Sequence, residues 1–257
     1  KGENNLRIGE LVMQAKNGTD YKFHTFGDPA LRLPFPQIST DIVTEIPNSI
    51  TLIEEQSISV ENSNKHSSLL IRGTEKEIAF GEDSLLYSIP GVTYAQVNFT
   101  GSDGCFRIPL DASSCDSCST DIYLYQDNNG SNGIIQFIPD IPITGSDANS
   151  NDTEGPEIHI FQDDHLLVEG SVLLPTTDLK ISLDDSSSGI NLMETIGHGI
   201  RYRFDEDELI LIPGVEFIYN TCSGGTVQIP VTEIPGKHHF YLEAWDGVNN
   251  QSTLDIN

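Results

Sequence analysis

Positive charge is scarce in this chain: of 257 residues, 13 are Lys or Arg against 39 Asp or Glu, a formal net charge of −26. Such an acidic surface repels phosphate backbones and anionic membrane faces, which argues against nucleic acid and leaves divalent cations and cationic partners as the compatible ones. The same acidity, with no specific partner, keeps an exported protein soluble. Long apolar runs are missing as well. No stretch approaches the ~20 residues a membrane-spanning helix needs, and no signal-peptide pattern stands at Lys1, so any address label is expected outside this sequence. Cysteine is sparse: Cys105, Cys115, Cys118 and Cys222 are too few to build a disulfide scaffold in a chain of this size. The length allows two domains, each able to bury its own core.

Helical periodicity is almost absent. Only residues 5–16 show it, with Leu6, Ile8, Leu11, Val12 and Ala15 at roughly helical spacing, and Asn17-Gly18 supplies the stop. A helix this short is marginal in water without a partner surface. Two short apolar segments, 21–26 and 30–33, then flank a Gly27-Asp28-Pro29 turn, and Pro34 and Pro36 end regular structure.

From Gln37 onward the pattern is that of short strands rich in β-branched and aromatic residues and bounded by Gly, Pro, Asn, Asp and Ser. Strands are expected over 42–46, 49–60, 68–72, 92–100, 105–110, 120–126 and 133–138. Residues 147–155 read as a polar linker. A second set follows over 157–161, 171–174, 178–183, 199–204, 208–212, 215–220, 226–231, 237–245 and 253–256. The expected fold class is therefore mainly β: two tandem immunoglobulin-like β-sandwich domains, 37–146 and 156–257, preceded by a short helix–strand segment over 1–36.

Several clusters could carry chemistry. Cys115-Asp116-Ser117-Cys118 has the spacing of a metal knuckle or a redox pair. Zinc would need further ligands, with Cys105 and Cys222 the nearest candidates, and a redox pair would need an α/β helix start that the pattern lacks. A local disulfide, Cys115 with Cys118 or Cys105 with one of them, suits an exported protein and leaves Cys222 a lone thiol. His198 lies between two glycines, where a hydrogen-bonded structural role is expected. His238 and His239 are neighbours on a strand and point to opposite faces, so they are not expected to share an ion. Asp184-Asp185 with Ser186–Ser188, Asp205–Glu208 and the acidic run 147–154 offer oxygen ligands for calcium, yet none follows a calcium-loop pattern. The sequons at Asn17, Asn98 and Asn129 read as chance. No catalytic, cofactor-binding or metal residue is assigned, and no cofactor is expected.

A resemblance adds to this reading. The helix followed by Phe26-Gly27-Asp28-Pro29-Ala30-Leu31-Arg32-Leu33-Pro34 resembles the end of the peptidase domain in gingipain-type cysteine peptidases of the caspase-like clan. Gly155-Pro156-Glu157-Ile158, Gly170, Pro175, Leu183-Asp184, Ser188-Gly189-Ile190-Asn191, Ile196-Gly197-His198-Gly199-Ile200, Gly236-Lys237-His238 and Ala244-Trp245-Asp246 stand in the order found in the C-terminal part of the PorU-type sortases of the type IX secretion system of Bacteroidetes. Residues 99–111, with Gly104-Cys105-Phe106-Arg107-Ile108-Pro109, are similar to the preceding domain of that family. The cysteine cluster has no counterpart in the pattern.

The resemblance implies that the Cys/His dyad lies upstream of Lys1, so this chain would be a non-catalytic C-terminal region of a cysteine peptidase or sortase. It would brace the peptidase domain through residues 1–36 and dock secreted substrates or outer-membrane partners at the cell surface. The competing expectation is an adhesive or carbohydrate-binding surface protein built from immunoglobulin-like modules. Such an array has no reason to carry the 5–36 segment.

Overall fold

The computed structural model describes residues 37–257 except 41, 62–64, 75, 81–84, 90, 114–117, 129–130, 146–150, 175–177, 195–196 and 232–235. The helix and turn expected within 1–36, and residues 147–150 of the linker expected over 147–155, lie outside the described residues.

Strands carry nearly all the described regular structure. The N-terminal half contributes β1 (Gln37–Ile38), β2 (Val43–Glu45), β3 (Ile50–Thr51), β4 (Gln56–Val60), β5 (His66–Gly73), β6 (Lys76–Phe80), β7 (Leu85–Ile89), β8 (Thr93–Thr100), β9 (Asp103–Phe106), β10 (Ser119–Asn128) and β11 (Ser131–Thr144). The C-terminal half adds β12 (Glu157–Gln162), β13 (His165–Leu166), β14 (Leu179–Asp184), β15 (Arg201–Phe204), β16 (Ile210–Leu211), β17 (Ile218–Tyr219), β18 (Gly224–Ile229), β19 (Phe240–Trp245) and β20 (Gln251–Ile256). Two 3-10 turns, Leu110–Ser113 and Gly214–Glu216, interrupt the strands.

Alternation explains which face each strand buries. Leu69 and Ile71 of β5, Ile122 and Leu124 of β10, and Ile58 and Val60 of β4 are all buried in the core, with Phe106 of β9 beside them. In the C-terminal half Ile181 and Leu183 of β14 and Leu242 and Ala244 of β19 do the same. The core is one continuous cluster through both halves.

The sheets show why. A long sheet runs β1-β11-β10-β5-β8-β17-β18-β14-β12-β13, with β3 added at the far end of β11. Its two halves meet where Val97 of β8 pairs in parallel with Tyr219 of β17. The smaller sheets β2-β4-β9 and β16-β15-β19-β20 come one from each half, and β6 pairs with β7. A backbone-paired join between the halves was not visible in the sequence, since pairing between residues so far apart leaves no local signature.

Other expectations are corrected by local geometry. The strand expected over 49–60 breaks into β3 and β4 because the backbone turns at Ile53, which has φ +56°. The strand expected over 105–110 ends at Phe106 and is followed by the turn at Leu110–Ser113. Residues 171–174 form no strand. The hairpin β6–β7 was not anticipated at all.

The expectation for Cys105 and Cys222 fails most clearly. Cys105 pairs with Cys222, 117 residues away, with their Cα atoms 4.9 Å apart. Cys222 is therefore no lone thiol, and Cys105 is paired with neither Cys115 nor Cys118. Cys118 is also disulfide-bonded. Cys105 follows directly from β8 through a tight turn and Cys222 follows β17, so the parallel bridge between those strands brings the two sulfurs together. Spacing along the chain held no information about that.

Candidate functional site

The seam between the halves gathers polar side chains from four separate stretches. Asp111, in the turn after β9, accepts hydrogen bonds from Asn249 Nδ2 at 2.8 Å and Asn191 Nδ2 at 3.2 Å, and His198 Nδ1 lies 3.1 Å from its Oδ2. A carboxylate can only accept here, so Nδ1 carries the proton that His198 donates. Asn191 also donates to Asn249 Oδ1, while Asn191 Oδ1 accepts from the Met193 amide. The His198 ring lies against Trp245, with centroids 4.6 Å apart. Burial pushes the Asp111 carboxyl up, but the hydrogen bonds from Asn249, His198 and Asn191 outweigh it and hold the group below the ordinary carboxylate range.

Backbone geometry fixes this constellation. Gly197 (φ +88°) and Gly199 (φ +151°) flank His198 in conformations that residues with a Cβ rarely adopt. Gly247 allows the chain after β19 to approach the 186–190 loop so closely that a Cβ would lie 2.2 Å from the Ser188 carbonyl oxygen. Its amide donates to the Gly189 carbonyl, and its own carbonyl accepts from the Leu110 amide. Nearby, Arg107 Nη1 donates to the Ile53 carbonyl at 2.8 Å and to the Ser187 carbonyl at 3.3 Å, and its Nη2 reaches the Ser186 carbonyl. The fully buried Tyr219 hydroxyl accepts from the Ile190 amide and donates to the Ile190 carbonyl, and burial pushes its phenol well above the ordinary value.

A second cluster lies beside this seam. Asp152, Asp185 and Asp246 each place a carboxylate oxygen within 4.8 Å of the others. Asp185 and Asp246 are 7% and 0% exposed. Asp185 Oδ1 accepts from the amides of Ser187 and Ser188, Asp246 Oδ1 from those of Val248 and Asn250, and Asp152 Oδ2 from Ser188 Oγ. The donors at Asp185 and Asp246 are neutral, so the two buried charges repel. Burial first, and the Asp185 charge with it, raise the Asp246 carboxyl above the ordinary range. An open recess of about 660 Å³ adjoins, walled by Asp152, Glu154, Glu157, Asp184 and Asp185. These oxygens are the type a hard divalent cation takes, and Asp152, Asp185 and Asp246 are the residues that could hold one.

The structure thus sorts the sequence candidates. His198 is hydrogen-bonded across the glycine loop. His238 and His239 go to separate carboxylates, Asp205 and Asp255, and share no site. Of the acidic stretches, Asp152 and Asp185 come together, whereas Asp205 is occupied by His238 and the His239 amide. Asp111, Asn249 and Asp246 were not singled out as site residues. The Asp246-Gly247-Val248-Asn249-Asn250 run was the available signal, because Asp and Asn beside a Gly turn readily hydrogen-bond local backbone.

The class that fold and site define is a mainly β protein of several sheets whose halves are joined by a shared sheet, a disulfide and a polar seam. No family model matches the chain, and no curated protein matches it. Among solved structures, it is similar to dimeric latent PorU from Porphyromonas gingivalis, with 20% identity, 98% of this chain and 27% of that chain covered, and a TM-score of 0.43. It is also similar to the complex of Dpr2 Ig1-Ig2 with DIP-Theta Ig1-Ig3, with 12% identity, 88% and 62% coverage, and a TM-score of 0.23. The chain spans about a quarter of the length of the PorU chain it matches.

Proposed function

We propose that this chain is the non-catalytic C-terminal β region of a gingipain-type cysteine peptidase resembling the PorU-type sortases. In this reading residues 1–36 close an upstream peptidase domain, 37–146 and 156–257 are two immunoglobulin-like modules joined by the 147–155 linker, and the whole braces that domain at the cell surface. Secreted substrates or outer-membrane proteins are its partners. No described helix is long and apolar enough to cross a membrane.

One observation carries the reading. Several of the phrases behind the family resemblance, scattered over more than a hundred residues, meet at one seam: Asn191 and His198 meet Asp111, and His198 meets Trp245. Residues that match a family pattern because of a shared architecture should meet in space; chance matches should not. The adhesive reading has no comparable set among the described residues.

The test is the coding sequence upstream of Lys1 together with an assay of the chain itself. A His and a Cys in a caspase-like upstream domain, with no cysteine-dependent peptide cleavage by residues 1–257 alone, is the expected result. An upstream region without such a domain, or turnover by the isolated chain that thiol alkylation abolishes, overturns it.

A further inference from the structure

Strand β16 is the outermost strand of its sheet. The Ile212 amide donates to the Ile200 carbonyl, and Leu211 and Ile210 lie opposite Arg201 and Tyr202. Along an antiparallel pair the polar groups of successive residues point to opposite sides, so Leu209 and Leu211 turn their amides and carbonyls away from β15. Neither residue's amide or carbonyl meets a hydrogen-bond partner among the described residues. Natural sheet edges are blunted by charge or proline, yet Leu209-Ile210-Leu211 carries neither before Pro213. The apolar surface continues from this edge: Ile210 is 49% exposed, Leu211 40%, Val215 47% and Val92 43%. Leu211 and Glu194 both border Gly199, where a Cβ would lie 3.0 Å from Leu211 Cδ1 and 3.7 Å from Glu194 Cα. Glu194 then walls an open recess of about 370 Å³ with Val92, Thr93 and Val215. The strip thus runs from β16 to the start of β8, across both halves of the chain.

Acid surrounds the strip. Glu206, Asp207 and Glu208 precede the edge and Glu216 follows it, all exposed and engaged in no described ion pair. Burial first, and the Glu216 charge with it, push the Tyr202 phenol up, which sets Glu216 beside the residue opposite Ile210. In the recess Arg72 holds the Gly91 carbonyl through Nε and Nη2. We propose that the free edge of β16 takes an extended peptide of a partner protein as an added strand, its apolar side chains on Leu211, Val215 and Val92 and its flanking Lys or Arg residues against the acids. The exposed main-chain groups supply the ladder, the apolar strip selects alternate side chains, and the charge selects the sign of the flanks. Charge also decides against a second copy. Two β16 edges paired antiparallel would set Glu206–Glu208 of each against the end of the other that bears Glu216, on molecules of formal charge −26. The inference rests on the described edge and recess and not on the peptidase reading, so its failure would leave that reading standing.

The probe is a random heptapeptide display library selected on the full chain, with the best sequence then synthesised and its Kd measured by fluorescence anisotropy. Enriched sequences are expected to alternate β-branched or aromatic residues between flanking Lys or Arg. On binding, hydrogen exchange should slow at the Leu209 and Leu211 amides and stay unchanged at Ile210 and Ile212. Leu211→Pro removes an outward amide without touching the β15 ladder, and Leu211→Lys charges the edge while keeping the backbone, so the test survives a proline variant that fails to fold. Each is expected to weaken binding by about tenfold or more with β-sheet circular dichroism unchanged. No enriched sequence, an acidic consensus, or equal Kd for the parent and Leu211→Lys overturns the proposal. So does protection of the Leu209 and Leu211 amides without peptide, or a parent dimer that Leu211→Lys dissociates, because the chain itself or a second copy would then be the occupant.

Discussion

Asn191, His198 and Asn249 all aim donors at the one Asp111 carboxylate, and all lie 80 or more positions away in the sequence. Replacing it with Ala leaves these donors facing a gap, and the expected loss is about 2–3 kcal/mol, read as a lower urea midpoint with an unchanged slope. Because the folded-state pKa of Asp111 is lowered, its contribution is present above the ordinary carboxylate range and fades as pH falls through the folded value. Asp111→Ala and the parent should therefore converge in stability on acidification. Asp246 has the opposite sign. Its folded-state pKa is raised, so it favours the folded state most when protonated and loses that contribution as pH rises. Titrating Asp246→Asn against the parent should move the stability difference in the variant's favour as pH climbs through the carboxylate range; a flat difference would contradict the burial argument.

Elements were legible where a single residue's surroundings decide its face. β5 and β10 follow the expected alternation, and the final strand, expected over 253–256, begins at Gln251 just after a turn at Asn249 with φ +73°. The break at Ile53 was hidden, because isoleucine is a strong strand former and its positive φ is imposed by tertiary contacts, among them the carbonyl that receives Arg107. The β8–β17 join and the Cys105–Cys222 bond were likewise beyond local pattern. That bond closes a loop of 117 positions, and the chain-entropy model assigns such a crosslink about 4–5 kcal/mol. The double variant Cys105→Ser/Cys222→Ser should lose stability of that order in denaturant titration. A much smaller loss would mean that the unfolded chain already keeps the two cysteines close through residual structure.

At the scale of the molecule, a charge of −26 on 257 residues makes self-repulsion a general cost of compactness. Raising ionic strength from about 0.01 M to 0.1 M shortens the screening length from roughly 30 to 10 Å. The melting temperature should rise over that interval with sodium chloride alone. The mainly β class was readable from strand patterns and turn signals, whereas the sheet and seam that join the N- and C-terminal halves were not, since the contacts that join them are long-range.

The position of the Cys105–Cys222 bond has a mechanical consequence. A chain tugged at its two ends would transmit the force across that bond, so the intervening 117 positions could not be drawn out while it stays oxidised. About 400 Å of contour is thereby held in reserve, to be released only on reduction. Asp111, Asn191 and His198 lie inside that loop and would stay shielded from tension, whereas their seam partners Trp245 and Asn249 lie beyond Cys222 and would bear it.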